Sequence, residues 1–184
     1  RPDSTAPLRV VGVPGNVAGL LEAHEKFGRL PRDVVMAPAI RIAEEGFPVY
    51  PRLERGYAGK REVLERYPGT RALFLADGDP PKVGETLRQP DLARTLRLIA
   101  EHGFDGFYRG DVAAKLVAGV NAEGGKWTTD ELARYTVRER EPISFGYRGW
   151  NIVTAPPTSS GGVALAEMLN MASGWDLSKL DRPA

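Results

Sequence analysis

Apolar and polar positions repeat with two different periods along this chain, and the periods set the expected elements. Leu8-Arg9-Val10-Val11-Gly12-Val13 is short, β-branched and bounded by Pro7 and Pro14, as a buried strand would be. From Val17 the period becomes helical: Val17, Leu20, Leu21, His24 and Phe27 share one face, and Gly28 is placed to end the helix in a left-handed conformation. Pro31 and Pro38 each suit a first helical turn, where no backbone donor is needed, so two linked helices are expected across Pro31 to Glu45, closed by Gly46. A further helix is expected over Tyr57 to Tyr67, stopped by Pro68-Gly69.

Asp77-Gly78-Asp79-Pro80-Pro81 is the richest stretch in turn formers, and Val83 to Leu87 follows too soon for it to be a domain linker. Pro90 opens a helix in which Leu92, Leu96 and Ile99 form a stripe, with His102 and Gly103 at its end. Asp111 to Val120 predicts another helix, ended by Gly124-Gly125. Thr128 and Glu131 have capping-box spacing, which predicts a short helix to about Tyr135. Pro142-Ile143-Ser144-Phe145 and Trp150-Asn151-Ile152-Val153-Thr154 read as strands joined by Gly146-Tyr147-Arg148-Gly149. After Pro156-Pro157-Thr158-Ser159-Ser160-Gly161-Gly162, the positions Val163, Leu165, Met168, Leu169 and Ala172 make a last apolar helix face, closed by Gly174. Strands at both ends with a helical block between them give an α+β fold class, with too few strands to complete a sheet.

Composition narrows the function classes. The 184 residues are 42% hydrophobic and 27% charged, the balance of a folded globular protein. Lys and Arg number 25 against 24 Asp and Glu, so no net field favours nucleic acid or an anionic membrane, and a small neutral or zwitterionic substrate fits better. Absence of cysteine excludes thiolate catalysis and thiolate-bound metal but fits more than one compartment. No apolar run reaches the roughly 20 residues of a membrane helix. Arg1 stands where a start methionine would, which predicts a removed leader or a segment of a longer product.

Few residues offer chemistry. Ser159 and Ser160 lie between a strand and a helix, where hydroxyls and free helix amides can hold an anion; as nucleophiles they depart from the Gly-x-Ser-x-Gly elbow, and helix capping is the simpler role. His24 is expected to pack along its helix and His102 to complement a helix C-terminus; neither has metal-ligand spacing. Gly12, Gly15 and Gly19 miss the nucleotide-binding spacing and predict a tight turn with close helix-to-strand approach. Asp77 and Asp79 lack the remaining ligands of a calcium loop. Arg88, Arg94, Arg97 and Arg109 are carboxylate partners by chemistry, and solvated helix surface or local ion pairs by number.

Five segments occur in order along nearly the whole chain: Gly12-Val13-Pro14-Gly15-Asn16-Val17-Ala18-Gly19, Ala37-Pro38-Ala39-Ile40-Arg41-Ile42-Ala43-Glu44-Glu45-Gly46-Phe47, Gln89-Pro90-Asp91-Leu92-Ala93-Arg94-Thr95-Leu96, Phe107-Tyr108-Arg109-Gly110 and Pro156 to Gly162. Together they resemble the large subunit of γ-glutamyltranspeptidases. The resemblance implies residues 1–184 to be one middle-to-late, single-domain piece of that subunit, a helix-rich segment of an N-terminal-nucleophile hydrolase αββα sandwich. It implies a precursor that cuts itself, freeing a threonine that attacks a γ-glutamyl amide such as that of glutathione, its own α-amine serving as base.

The family's Thr-Thr-His-like context is not matched here, since Thr128-Thr129 is followed by Asp130. The resemblance therefore puts the nucleophile in a small subunit outside this chain, and the carboxylate-holding arginine upstream of the matched part. It implies no catalytic residue, no metal and no cofactor in this chain, and an inactive chain on its own. Ser159 and Ser160 are the candidate cleft-lining residues, and Thr158 stands where a proline is common. The substrate alternatives are those of a cephalosporin acylase or a poly-γ-glutamate depolymerase; a binding or structural module without a nucleophile is the alternative from another class, against which Arg1 and Leu180-Asp181-Arg182-Pro183-Ala184, ends that look cut, both argue. A periplasmic or secreted location follows from the resemblance alone.

Overall fold

The computed structural model describes residues 11–75 and 78–176. Arg1, the first half of the expected strand Leu8–Val13, Asp77 and Leu180–Ala184 lie outside the described residues, and the described half of that strand, Val11–Val13, is irregular backbone. The chain divides into two compact units, one up to Val137 and one from Arg138.

The first unit opens with α1 (Asn16–Phe27), preceded by irregular backbone from Val11 to Gly15. Gly28 ends α1 in an extended conformation, not the expected left-handed one. Its amide still bonds the His24 carbonyl at 2.7 Å, and the His24 ring lies over the space a side chain would need. Close approach, not backbone handedness, requires glycine there.

The two helices expected across Pro31 to Glu45 are one, α2 (Arg32–Glu45), with Pro38 inside it. Proline at that position orphans the Val34 carbonyl, but Val34 is half-exposed, where water can take the bond. The opposite face packs along α6 (Pro90–His102) and holds the helix continuous, with Ala43 of α2 and Ala93, Ile99 and Ala100 of α6 buried. Leu92, expected in the buried stripe, is exposed; Ala93 takes its place. Arg32 donates to the last carbonyls of α6, from Nε to Ala100 at 2.9 Å and from Nη2 to Glu101 at 3.3 Å.

Gly46, at a φ of 86°, turns α2 into β1 (Phe47–Pro48), which pairs antiparallel with β2 (Thr86–Leu87) in the register Phe47 to Leu87. The single helix expected over Tyr57 to Tyr67 is broken at Gly59-Lys60 into the end of α3 (Pro51–Ala58) and α4 (Arg61–Arg66), and α5 (Pro68–Phe74) follows it. Helix α4 ends just before Pro68, as expected, and Pro68 also opens α5, because a first helical residue has no amide bond to lose.

The remainder of this unit is α7 (Asp105–Tyr108), α8 (Gly110–Ala122) and α9 (Thr129–Ala133). Thr128 and Glu131 form the expected capping box, Glu131 N–H donating to Thr128 Oγ1 at 3.2 Å and Thr128 N–H to Glu131 Oε2 at 2.8 Å. Ala18, Tyr108, Ala113 and Leu132 form a buried cluster, flanked by Val17, Phe104, Phe107 and Tyr135.

The second unit contains β3 (Ile143–Tyr147), β4 (Trp150–Thr154) and α10 (Ser160–Ala172). The strands pair antiparallel with Phe145 opposite Ile152 and Tyr147 opposite Trp150. The turn is therefore only Arg148-Gly149, shorter than the expected four residues. Both residues have positive φ, 47° and 86°, the geometry that matches the twist of a two-residue hairpin and that glycine adopts without strain. Arg148 Nη2 donates to the Trp175 carbonyl at 2.6 Å, tying the turn to the chain after α10. Helix α10 packs against β3, whose Ile143, Phe145 and Tyr147 are half-buried while Ser144 and Gly146 are exposed. Among the described residues the four strands make two separate two-stranded sheets, the helix-rich α+β segment with an incomplete sheet that the sequence pattern predicts.

Candidate functional site

The segment that leaves β4 and enters α10 carries the two serines. Ser159 N–H donates to the Pro156 carbonyl at 3.1 Å, closing a turn, and the Pro157–Thr158 peptide within it is cis. Ser159 occupies the N-cap position with an extended backbone, yet its hydroxyl accepts no helical amide. The simple capping role expected for it is not made. Ser160 begins the helix and is exposed, as are Ser159 and Gly161, and neither serine hydroxyl has a hydrogen-bond partner among the described residues.

Gly162 is buried against the end of β4. A methyl group there would run into the Ala155 carbonyl oxygen and meet Thr154 Cγ2 at 3.0 Å and Oγ1 at 3.2 Å. That contact fixes how the helix leaves the strand, and the first turn carries no acidic residue to offset its partial positive charge. The arrangement offers two hydroxyls and free helix amides to an anionic or carbonyl oxygen. Among the described residues, the second unit brings no histidine to this arrangement.

The other candidates resolve into structural roles. The ring of His24 donates from Nε2 to the Leu30 carbonyl at 2.9 Å, and His102 closes α6 with Glu101 at 3.7 Å. Arg94 pairs with Asp91 at 2.8 Å, Arg97 with Glu44, and Arg109 with Asp105 at 2.7 Å. Arg109 also lies over the Phe104 ring. Arg88 is exposed and makes no ion pair among the described residues. Asp79 accepts from Arg61 Nη1 at 2.5 Å, and that hydrogen bond holds its carboxyl below the ordinary value. Among the described residues no group of three His, Cys, Asp or Glu is placed to hold a metal, and no helix is long and apolar enough to cross a membrane.

Of the three glycines near the start, only Gly15 lies against a neighbour, and that neighbour is a ring and not the expected strand: a side chain there would collide with the Tyr135 hydroxyl, whereas Gly12 and Gly19 have open space. The residue that organises this joint is Tyr108, which carries no motif of its own beyond its place in Phe107-Tyr108-Arg109-Gly110. It is fully buried, stacks on Phe104 at 4.4 Å and Tyr135 at 5.6 Å between ring centres, and meets Phe107 edge-on at 4.9 Å. The aromatic spacing Phe104, Phe107, Tyr108 is the signal that marks it in the sequence.

With this geometry in place, comparison with known proteins is decisive. A family profile described as Gamma-glutamyltranspeptidase matches residues 2–183. A glutathione hydrolase proenzyme of Pseudomonas sp. strain A14 is 42% identical over 182 residues, 96% of this chain and 31% of that protein. An acylase ACY 1 proenzyme of Pseudomonas sp. strain SE83 is 41% identical over 172 residues, 94% of this chain and 31% of that protein. The crystal structure of Helicobacter pylori gamma-glutamyltranspeptidase superposes with a TM-score of 0.90 at 35% identity, over 95% of this chain and 50% of that one.

The fold is thus that of a segment of an N-terminal-nucleophile hydrolase. Within that class, the chain belongs to the γ-glutamyltranspeptidase family. It spans about a third of the length of the curated relatives it matches.

Proposed function

We propose that this chain is the large-subunit segment of an enzyme that cleaves γ-glutamyl amides such as glutathione and passes the glutamyl group to water or to an amino acid or peptide. The observation that carries the reading is the 42% identity to a glutathione hydrolase proenzyme over almost the whole chain, in a region the family profile covers end to end. The nucleophile is a threonine in further polypeptide. Its hydroxyl attacks the amide carbonyl, its α-amine takes the proton and returns it to the departing amine, and the threonyl ester is then resolved by water or an acceptor amine. Splitting the transfer this way needs no histidine, cysteine or metal. The contribution of this chain is scaffold, with Ser159 and Ser160 lining the cleft, and the chain alone does not turn over. A location outside the cytoplasm belongs to the same proposal, supported by the family resemblance, and cell fractionation checks it.

The acylase relative supports a second reading, in which the same scaffold serves an acyl β-lactam, because its identity and coverage are nearly those of the glutathione hydrolase. The test uses the complete polypeptide. We expect release of the aniline from a γ-glutamyl anilide, abolished when the small-subunit threonine is replaced by alanine, and turnover of glutathione ahead of a glutaryl β-lactam. Activity that survives the threonine replacement overturns the mechanism, and a glutaryl β-lactam turned over in preference to glutathione moves the assignment to the acylases.

A further inference from the structure

We draw no further inference here: the strongest candidate, the exposed apolar side chains that Trp150 and Val153 on β4 and Met168, Met171 and Trp175 along and after α10 give the second unit, is a scatter of unpartnered apolar positions and nothing in the structure shows what covers them.

Discussion

The Tyr108 hydroxyl accepts a hydrogen bond from the Ala18 amide at 3.1 Å, across 90 residues of sequence, and donates its own proton to the Pro14 carbonyl at 2.5 Å. Ala18 lies in the first turn of α1, where helical amides have no partner within the helix, and the N-cap residue Gly15 has no side chain to supply one. A phenol from α7 therefore caps α1. Gly15 stays a glycine because the Tyr135 ring, stacked on Tyr108, occupies the space beside it.

Replacing Tyr108 by phenylalanine keeps the stacking and removes both bonds, leaving a buried amide and a carbonyl unpaired. Loss of about 1–3 kcal/mol of stability is expected, the ordinary penalty for stranding buried polar groups. Urea denaturation of the Tyr108→Phe variant against the parent measures it. A difference below about 0.5 kcal/mol, within the range of substitutions that touch nothing, shows that water replaces the phenol and that the cap is dispensable.

Alkaline pH should act on the same contact. Burial, foremost, pushes the Tyr108 phenol above its ordinary value of 10.0; the nearby Tyr135 adds to this, and the bond from Ala18 opposes it. A phenol held protonated in the fold contributes stability that is complete below the unfolded value. That stability is lost as pH rises from about 10 through the raised folded value. Stability followed from pH 8 upward is expected to fall more steeply for the parent than for Tyr108→Phe, and parallel curves would remove Tyr108 as the cause.

Local chemistry was legible in the sequence wherever it is settled within a few residues. The Thr128–Glu131 box depends on a three-residue spacing, and the β3–β4 hairpin on alternation around a glycine turn, so both were readable. Pro38 is no boundary, because packing of α2 on α6 outweighs one lost backbone bond; Pro68 is the boundary its ring predicts, and the same ring suits it to begin the next helix. Partners far apart in sequence were invisible: nothing near Ala18 announces that its amide is satisfied by Tyr108. At the site, the position of the serines between strand and helix was readable. The absence of a Ser159 cap was not readable, because a serine at an N-cap position is the usual sign of one.

The junction of β4 and α10 is tested by two adjacent glycines. Gly162→Ala places a methyl against the Ala155 carbonyl and the Thr154 side chain, so helix or strand must shift, at an expected cost of about 1–3 kcal/mol. Gly161→Ala meets only Ser159 Oγ, at an ordinary 3.7 Å, and is expected to be neutral or slightly stabilising because alanine favours the helix. Thermal unfolding of both variants checks the contrast. Equal effects would show that the Gly162 contact does not position α10.

The same junction is where the proposed cleft role of the serines meets kinetics. Neither hydroxyl has a hydrogen-bond partner among the described residues, so a hydroxyl that meets substrate is expected to contribute binding and not proton transfer. One ordinary hydrogen bond is worth about 0.5–1.5 kcal/mol, or roughly two- to tenfold in affinity. In the complete polypeptide, Ser159→Ala and Ser160→Ala are therefore expected to raise KM for a γ-glutamyl anilide by about that factor while kcat holds. Circular dichroism confirms that α10 is intact in each. An unchanged KM in both variants removes the serines from the cleft, and a kcat loss beyond about a hundredfold gives one of them a part in the chemistry, since losses of that size follow removal of groups that act in the transition state.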